Sequence, residues 1–163
     1  MTDRMPHLQQ LAQAGELLFS GEVPKQYAAI CYRHDIASED VVMLLVTGRK
    51  SGKWILPRGW PMEGRSPREV AEREAFEEAG VAGKARKKSV GCYTYPKRFD
   101  DGRIVPCLVE VFGVRVDKIA KNYKEKGQRQ RKWVSFTEAQ NLVEEPELRS
   151  LIIAFGQKLQ TTR

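Results

Sequence analysis

Three glutamates, Glu74, Glu77 and Glu78, fall together in a stretch with strong helical signals. At ~100° per residue they occupy an arc of about 100° on one side of a helix. Carboxylates four residues apart on a helix are spatial neighbours and repel unless something compensates. These three also lie toward the C-terminal end, where the helix dipole disfavours anions. Glutamates on a helix are ordinarily just a solvated acidic face. That reading fits poorly here, because the chain is basic overall, with a formal net charge of +7. A glycine-containing loop, Arg58–Arg65, also leads straight into the helix. A hard divalent cation is a natural compensator, since Mg²⁺ prefers carboxylate and water oxygens and reaches substrate phosphates as well.

The helix that carries these residues is the best defined in the chain. Ser66, Pro67 and Glu69 form a capping box with proline at the first helical position. The helix should run to about Ala79, and Gly80 stands where a left-handed C-terminal cap is needed. Ala71, Ala75 and Ala79 make a separate small-residue strip suited to close packing, with Phe76 to its far side.

Around the helix, Gln26–Arg33, Val41–Thr47, Trp54–Leu56, Ser89–Tyr95, Ile104–Val116 and Lys132–Phe136 read as strands. Val41–Val46 is apolar throughout, the pattern of a strand buried on both faces. His7–Phe19, Thr137–Val143 and Pro146–Leu159 read as further helices, the last with Leu148, Leu151, Ile152 and Phe155 on one face. Asp117–Arg131 reads as a lysine-rich loop. Strands with flanking helices predict an α/β or α+β sandwich. One domain is expected over residues 1–163, with its core at about 26–159 and an N-terminal helical extension at about 7–19.

The segment from Gly59 to Val81, GWPMEGRSPREVAEREAFEEAGV, resembles the Nudix box G-x5-E-x7-R-E-U-x-E-E-x-G-U, where U is a bulky apolar residue. Gly59, Arg73, Glu74, Glu77, Glu78, Gly80 and Val81 all fall at the required spacing. Leu56-Pro57 before the box, and Trp133-Val134 with Glu138-Ala139 near the end, extend the likeness to most of the chain. Two positions depart from the pattern: Arg65 stands where the first glutamate is expected, and Ala75 where the apolar residue is. Altered loop anchoring rather than loss of activity is expected from Arg65, with Glu63 as a partial substitute.

The resemblance implies a Nudix-type α/β/α sandwich with a mixed β-sheet and a loop–helix–loop catalytic motif. It also implies hydrolysis of a diphosphate linkage with Mg²⁺, or Mn²⁺, as cofactor. Glu74 and Glu78 would be the principal metal ligands, and Glu77 the proton acceptor or a ligand to a second ion. Arg73 would brace the loop–helix turn, and Gly59 would let the backbone approach the metal. Glu110 and Glu125 are candidates for a fourth carboxylate.

Positive charge crowds the neighbouring loops, and Arg115–Lys132 alone carries eight Lys/Arg against Asp117 and Glu125. Much of this is a solubilising surface, but it also suits a substrate with many phosphates. KQYAAICYR, TGRKSGKWILPRG and RQRKWVSFTEA resemble segments of the diphosphoinositol polyphosphate phosphohydrolase branch, which also cleaves diadenosine polyphosphates. Lys25, Arg49, Arg58, Arg98 and Arg131 are the candidate phosphate contacts.

Pro96, fifteen positions beyond Val81, resembles a feature of ADP-ribose pyrophosphatases, although it equally suits a strand end. No RNA-binding motif accompanies Tyr123 and Trp133, so a nucleic-acid-binding scaffold is the less favoured alternative. The cysteines Cys31, Cys92 and Cys107 form no CxxC pair and are expected to be buried free thiols. No stretch is long and apolar enough to span a bilayer, and Met1–Gln10 lacks the apolar core of a secretory signal. A small-molecule partner, a cytoplasmic location and a monomer or homodimer are the corresponding expectations.

Overall fold

The structure, a computed structural model, describes residues 23–161. The expected helix at His7–Phe19 lies outside them. Eight strands form one mixed sheet: β1 (Lys25–His34), β2 (Val41–Thr47), β3 (Trp54–Ile55), β4 (Arg58–Gly59), β5 (Val81–Ala85), β6 (Gly91–Arg98), β7 (Ile104–Ile119) and β8 (Arg131–Ser135). Three helices complete the described chain: α1 (Pro67–Ala79), α2 (Phe136–Leu142) and α3 (Pro146–Thr161). The main path of the sheet is β3-β2-β1-β7-β5, with β4 also pairing β1, β6 pairing β7 and β8 pairing β2.

Strand alternation sorts the core into two layers, because successive side chains on a strand point to opposite faces. Ala28, Ile30 and Tyr32 of β1 join Met43, Leu45, Tyr93, Val109 and Val111 under Leu148, Ile152 and Phe155 of α3. Ala29 and Cys31 join Leu44, Val46, Phe112 and Val114 against Ala71, Ala75 and Ala79 of α1. The apolar β2 is thus covered on both faces, and the molecule is the expected α/β/α sandwich. The alanine strip lets α1 lie close to the sheet, which leaves its glutamate side to face the loops.

The ends of α1 form as the sequence requires. The Ser66 side chain accepts from the Glu69 N–H, and Glu69 accepts from the Ser66 N–H. Gly80 adopts φ 69°, and its N–H returns to the Phe76 carbonyl at 2.9 Å. A Cβ on Gly80 would collide with the Tyr123 ring. Gly80→Ala therefore combines left-handed strain with a clash, and we expect it to cost about 2 kcal/mol or more in denaturant unfolding.

Several boundaries differ from the sequence reading. β5 follows Gly80 directly and was not expected, because Val81–Ala85 is short and lacks the alternation of a half-buried strand. β4 lies within the stretch read as loop, where Tyr27 pairs Gly59 and Ala28 pairs Arg58. β7 continues past Val116 to Ile119 because β5 pairs with it there, from Ala85↔Val114 to Val81↔Ile119. Pro96 sits inside β6 opposite Pro106. Cys31 and Cys107 are buried, but Cys92 is exposed. Its neighbours Tyr93 and Tyr95 take the core face of β6, which turns Cys92 outward opposite Glu110.

Candidate active site

The glutamate side of α1 faces β4 and the segment between β7 and β8. Glu78 is buried at 5% exposure. One of its carboxylate oxygens accepts from the Arg58 backbone N–H at 3.0 Å, and the other from Arg129 Nη2 at 3.2 Å. Glu77 accepts from Arg73 Nε at 2.8 Å, the i,i+4 pair along the helix, and lies 3.8 Å from Lys124 Nζ. Glu74 packs against Gly59 so closely that a Cβ there would collide with its carboxyl carbon and Oε1. A side chain at position 59 would have to displace that carboxyl.

Glu125 joins these three from outside the helix. It is 9% exposed, and its Oε1 lies 3.4 Å from both Arg129 Nε and Arg49 Nε. Its charge raises the pKa of both Glu74 and Glu78. Glu110, the other candidate, lies on β7 opposite Cys92 and acts on that thiol instead.

The electrostatics of the group are those of anions held together at a cost. Burial, then the charges of Glu77 and Glu125, push the Glu74 carboxyl up to about 7. Burial pushes Glu78 up to about 8; Glu74 and Glu125 add to this, while Arg129 opposes it. Glu74 and Glu78 are also within hydrogen-bonding reach of each other. Behind them, burial and then Glu78 push the Cys31 thiol up to about 12, so it is an inert core thiol.

These donors fit a hard divalent cation: they are carboxylates, they are partly desolvated, and Gly59 opens the backbone beside Glu74. Among the described residues no three side chains converge as a ready-made cage. Mg²⁺ characteristically takes one or two protein carboxylates and completes its shell with water and phosphate oxygens.

The segment after β7 is docked on the end of α1. Ala120 N–H donates to the Gly80 carbonyl at 2.7 Å, Glu125 N–H to the Glu77 carbonyl at 2.9 Å, and Arg131 Nη1 to the Ala79 carbonyl at 2.6 Å. Carbonyls that a helix end leaves without intrahelical partners are thereby satisfied, and the Arg131 charge meets the negative end of the dipole.

The cations expected to contact phosphate are dispersed. Arg49 stands exposed beside Glu125. The Arg58 guanidinium is turned away, stacked 3.8 Å over the Tyr95 ring and donating to the Tyr93 hydroxyl at 3.2 Å. What Arg58 brings to the carboxylates is its main-chain N–H. Arg131 is engaged with the helix end. Lys25 opens β1 near Cys92, and Arg98 closes β6 opposite Ile104, so neither is brought to the carboxylates. Arg65 and Glu63 are both exposed.

Arg129 and Lys124 were not singled out by the sequence, where they belong to one long basic tract. The Arg129 side chain is largely covered by its contacts, including a 2.9 Å bond from Nη1 to the Thr47 carbonyl. Composition alone cannot distinguish it from its solvated neighbours.

Comparisons with known proteins bear on the family and the fold. The sequence model of the NUDIX domain matches residues 24–155. Nudix hydrolase 21, chloroplastic, of Arabidopsis thaliana is 34% identical over 162 residues, covering 94% of this chain and 74% of that protein. Diphosphoinositol polyphosphate phosphohydrolase 3-beta of Bos taurus is 42% identical over 60 residues, 37% of this chain and 35% of that one. The C. elegans Ap4A hydrolase superposes with a TM-score of 0.59 at 19% identity, over 84% of this chain and 98% of that one. The NUDIX domain of Shewanella oneidensis NrtR, complexed with ADP ribose, superposes with a TM-score of 0.63 at 16% identity, over 95% and 99%. The two structural likenesses establish the fold, and the sequence matches establish descent: this chain belongs to the Nudix family and is a Nudix hydrolase.

Proposed function

We propose that this Nudix hydrolase cleaves a phosphoanhydride bond in a highly phosphorylated small molecule, a diphosphoinositol polyphosphate or a diadenosine polyphosphate, with Mg²⁺ as cofactor and Mn²⁺ able to replace it. The observation that carries this reading is the grouping of Glu74, Glu77, Glu78 and Glu125 beside the cations Arg49, Lys124 and Arg129. Buried anions provide for a metal, and the cations beside them favour a polyanion. The short identity with diphosphoinositol polyphosphate phosphohydrolases supports the same substrate class.

Glu74 and Glu78 would hold the ion, with Gly59 keeping the backbone clear. The bound ion would neutralise phosphate charge and lower the pKa of water. Glu77, fixed by Arg73, would take the proton of the attacking water or hold a second ion. Arg129 keeps Glu78 and Glu125 aligned. Arg49 and Lys124 would meet the phosphates.

One feature favours the diadenosine substrate in particular. Trp60, next to Gly59, is 40% exposed and stacks on Phe99 with ring centroids 6.4 Å apart. An aromatic surface there can stack a base, which an inositol lacks. The location proposed remains the cytoplasm, to be checked with a fluorescent fusion. Among the described residues no helix is long and apolar enough to cross a membrane.

The test is turnover of a panel with Mg²⁺: diphosphoinositol polyphosphate, diadenosine penta- and hexaphosphate, ADP-ribose, NADH, nucleoside triphosphates and triphosphorylated RNA. Turnover of the most phosphorylated members, lost in Glu78→Gln, is expected. Preference for ADP-ribose would refute the substrate class. Trp60→Ala should impair diadenosine turnover and spare the inositol substrate. Because Arg65 is exposed, Arg65→Glu should leave kcat/KM within about threefold of wild type.

A further inference from the structure

Arg58 takes part in both layers of the sandwich. On the α1 side of the sheet, its main-chain N–H leaves the unpaired edge of β4 and donates to Glu78 at 3.0 Å. Its side chain reaches the opposite layer, where Tyr93 and Tyr95 pack with the residues under α3. The guanidinium carbon stands 3.8 Å from the centre of the Tyr95 ring, and Nη1 donates to the Tyr93 hydroxyl at 3.2 Å. The Tyr95 hydroxyl in turn donates to Gln26 Oε1 at 2.7 Å. Gln26 lies on β1, two residues before Ala28, which is the ladder partner of Arg58. Backbone and side chains thus close a ring that runs from β1 through β4, Arg58 and Tyr95 back to β1.

β4 has little else to fix it. It is two residues long and makes two ladder pairs, Tyr27↔Gly59 and Ala28↔Arg58, fewer than an ordinary strand. One further main-chain bond precedes it, from the Ala29 N–H to the Pro57 carbonyl at 3.0 Å. Yet both of its residues serve the carboxylates: Arg58 donates to Glu78, and Gly59 packs against Glu74. A displacement of β4 by about half an ångström would stretch the first contact out of good hydrogen-bonding range.

We infer that Arg58 is a positioning residue of this active site: Tyr93 and Tyr95, on the face of the sheet away from α1, hold β4 through its guanidinium and so set the geometry of Glu74 and Glu78. The inference rests on the proposed role of these two glutamates as metal ligands. Groups that orient metal ligands from one step further out typically change metal affinity by roughly 10–100-fold. Tyr93 is fully buried, so its hydroxyl needs the partner that Arg58 supplies. Among the described residues the Arg58 guanidinium makes no salt bridge. Replacing it therefore strands no carboxylate and reads the anchor alone.

Binding of Mn²⁺ to the full-length chain without substrate, followed by EPR, tests this. Arg58→Leu should weaken Mn²⁺ about tenfold. Tyr93→Phe, which removes one hydroxyl and keeps the ring, should weaken it about threefold, and decides the matter by itself if Arg58→Leu does not fold. In turnover, the activity lost by either variant should return as Mg²⁺ is raised, with the substrate KM at saturating Mg²⁺ unchanged, because the guanidinium does not meet the substrate. A KM that stays high at saturating Mg²⁺ would make Arg58 a substrate contact and overturn the inference. Wild-type Mn²⁺ affinity in both variants, with affinity lost in Glu78→Gln, would overturn the inference alone and leave Arg58 a purely structural anchor. Undiminished affinity in Glu78→Gln would overturn the reading of Glu78 as a ligand, and this inference with it.

Discussion

Replacing Glu74 with glutamine is expected to lower kcat/KM by about 10³-fold or more and, at the same time, to raise the melting temperature of the metal-free protein at pH 8. Glu77, Glu78 and Glu125 each have an arginine or lysine partner. Glu74 has the hydrogen bond with Glu78 and the distant pull of Lys124, against burial and the charges of Glu77 and Glu125. Its carboxyl and that of Glu78 titrate at about 7 and about 8 in the fold, above their ordinary value of 4.5. Between pH 4.5 and about 8 the folded chain therefore holds protons that the unfolded chain has released. Stability falls as pH rises through that window. Glutamine removes the Glu74 share of this loss. Thermal unfolding in EDTA at pH 5 and pH 8 measures it directly, and the variant should lose fewer degrees than wild type between the two. A variant that melts below wild type at pH 8 would show that the ionised carboxylate is not disfavoured there. Activity and stability moving in opposite directions would mark Glu74 as a functional residue maintained at the expense of the fold.

Removing Arg129 should do the reverse. Its side chain is 9% exposed, and the guanidinium touches Glu78, Glu125 and the Thr47 carbonyl. Arg129→Met keeps much of the apolar volume and strands two buried carboxylates, a change that typically costs on the order of 3 kcal/mol. The penalty should be largest at pH 8, where Glu78 is ionising, and smaller at pH 5, where it is protonated and needs no cation. Denaturant melts of the metal-free variant at both pH values test this. Equal penalties would assign Arg129 a packing role only. Mg²⁺ should recover part of the loss at pH 8, because it supplies the missing positive charge.

The parts of this molecule that could be read in its sequence are those governed by local rules. The capping box, Pro67 and Gly80 delimit α1 to the residue, and the spacing of Ala71, Ala75 and Ala79 states which side packs. The apolar run of β2 announces burial on both faces. The candidate site was legible as far as α1 carries it. Glu125 was a candidate only beside Glu110, and Arg129 was not singled out at all, because their importance comes from long-range docking: nothing near residue 125 shows that its N–H will meet Glu77. Arg58 shows the converse. Its position beside the box suggested a phosphate contact, yet two tyrosines from β6 hold its side chain. β5 was missed for a similar reason, since the far end of β7 makes Val81–Ala85 a strand.

β7 also sets an order of events during folding. Lys25 of β1 pairs with Leu108, and the parallel ladder continues to Tyr32↔Arg115. About half the chain must be looped out before that ladder closes, and such distant pairings form slowly. The segment that follows β7 supplies Glu125 and Arg129 and covers the end of α1. On a ribosome, α1 can coil as soon as it emerges, yet Glu74 and Glu78 stay hydrated and ordinary in acidity until the last third of the chain arrives. Their unusual proton affinity is therefore acquired late, with the closing of the sheet, and a nascent chain stalled before residue 120 would carry the family's signature helix without its site.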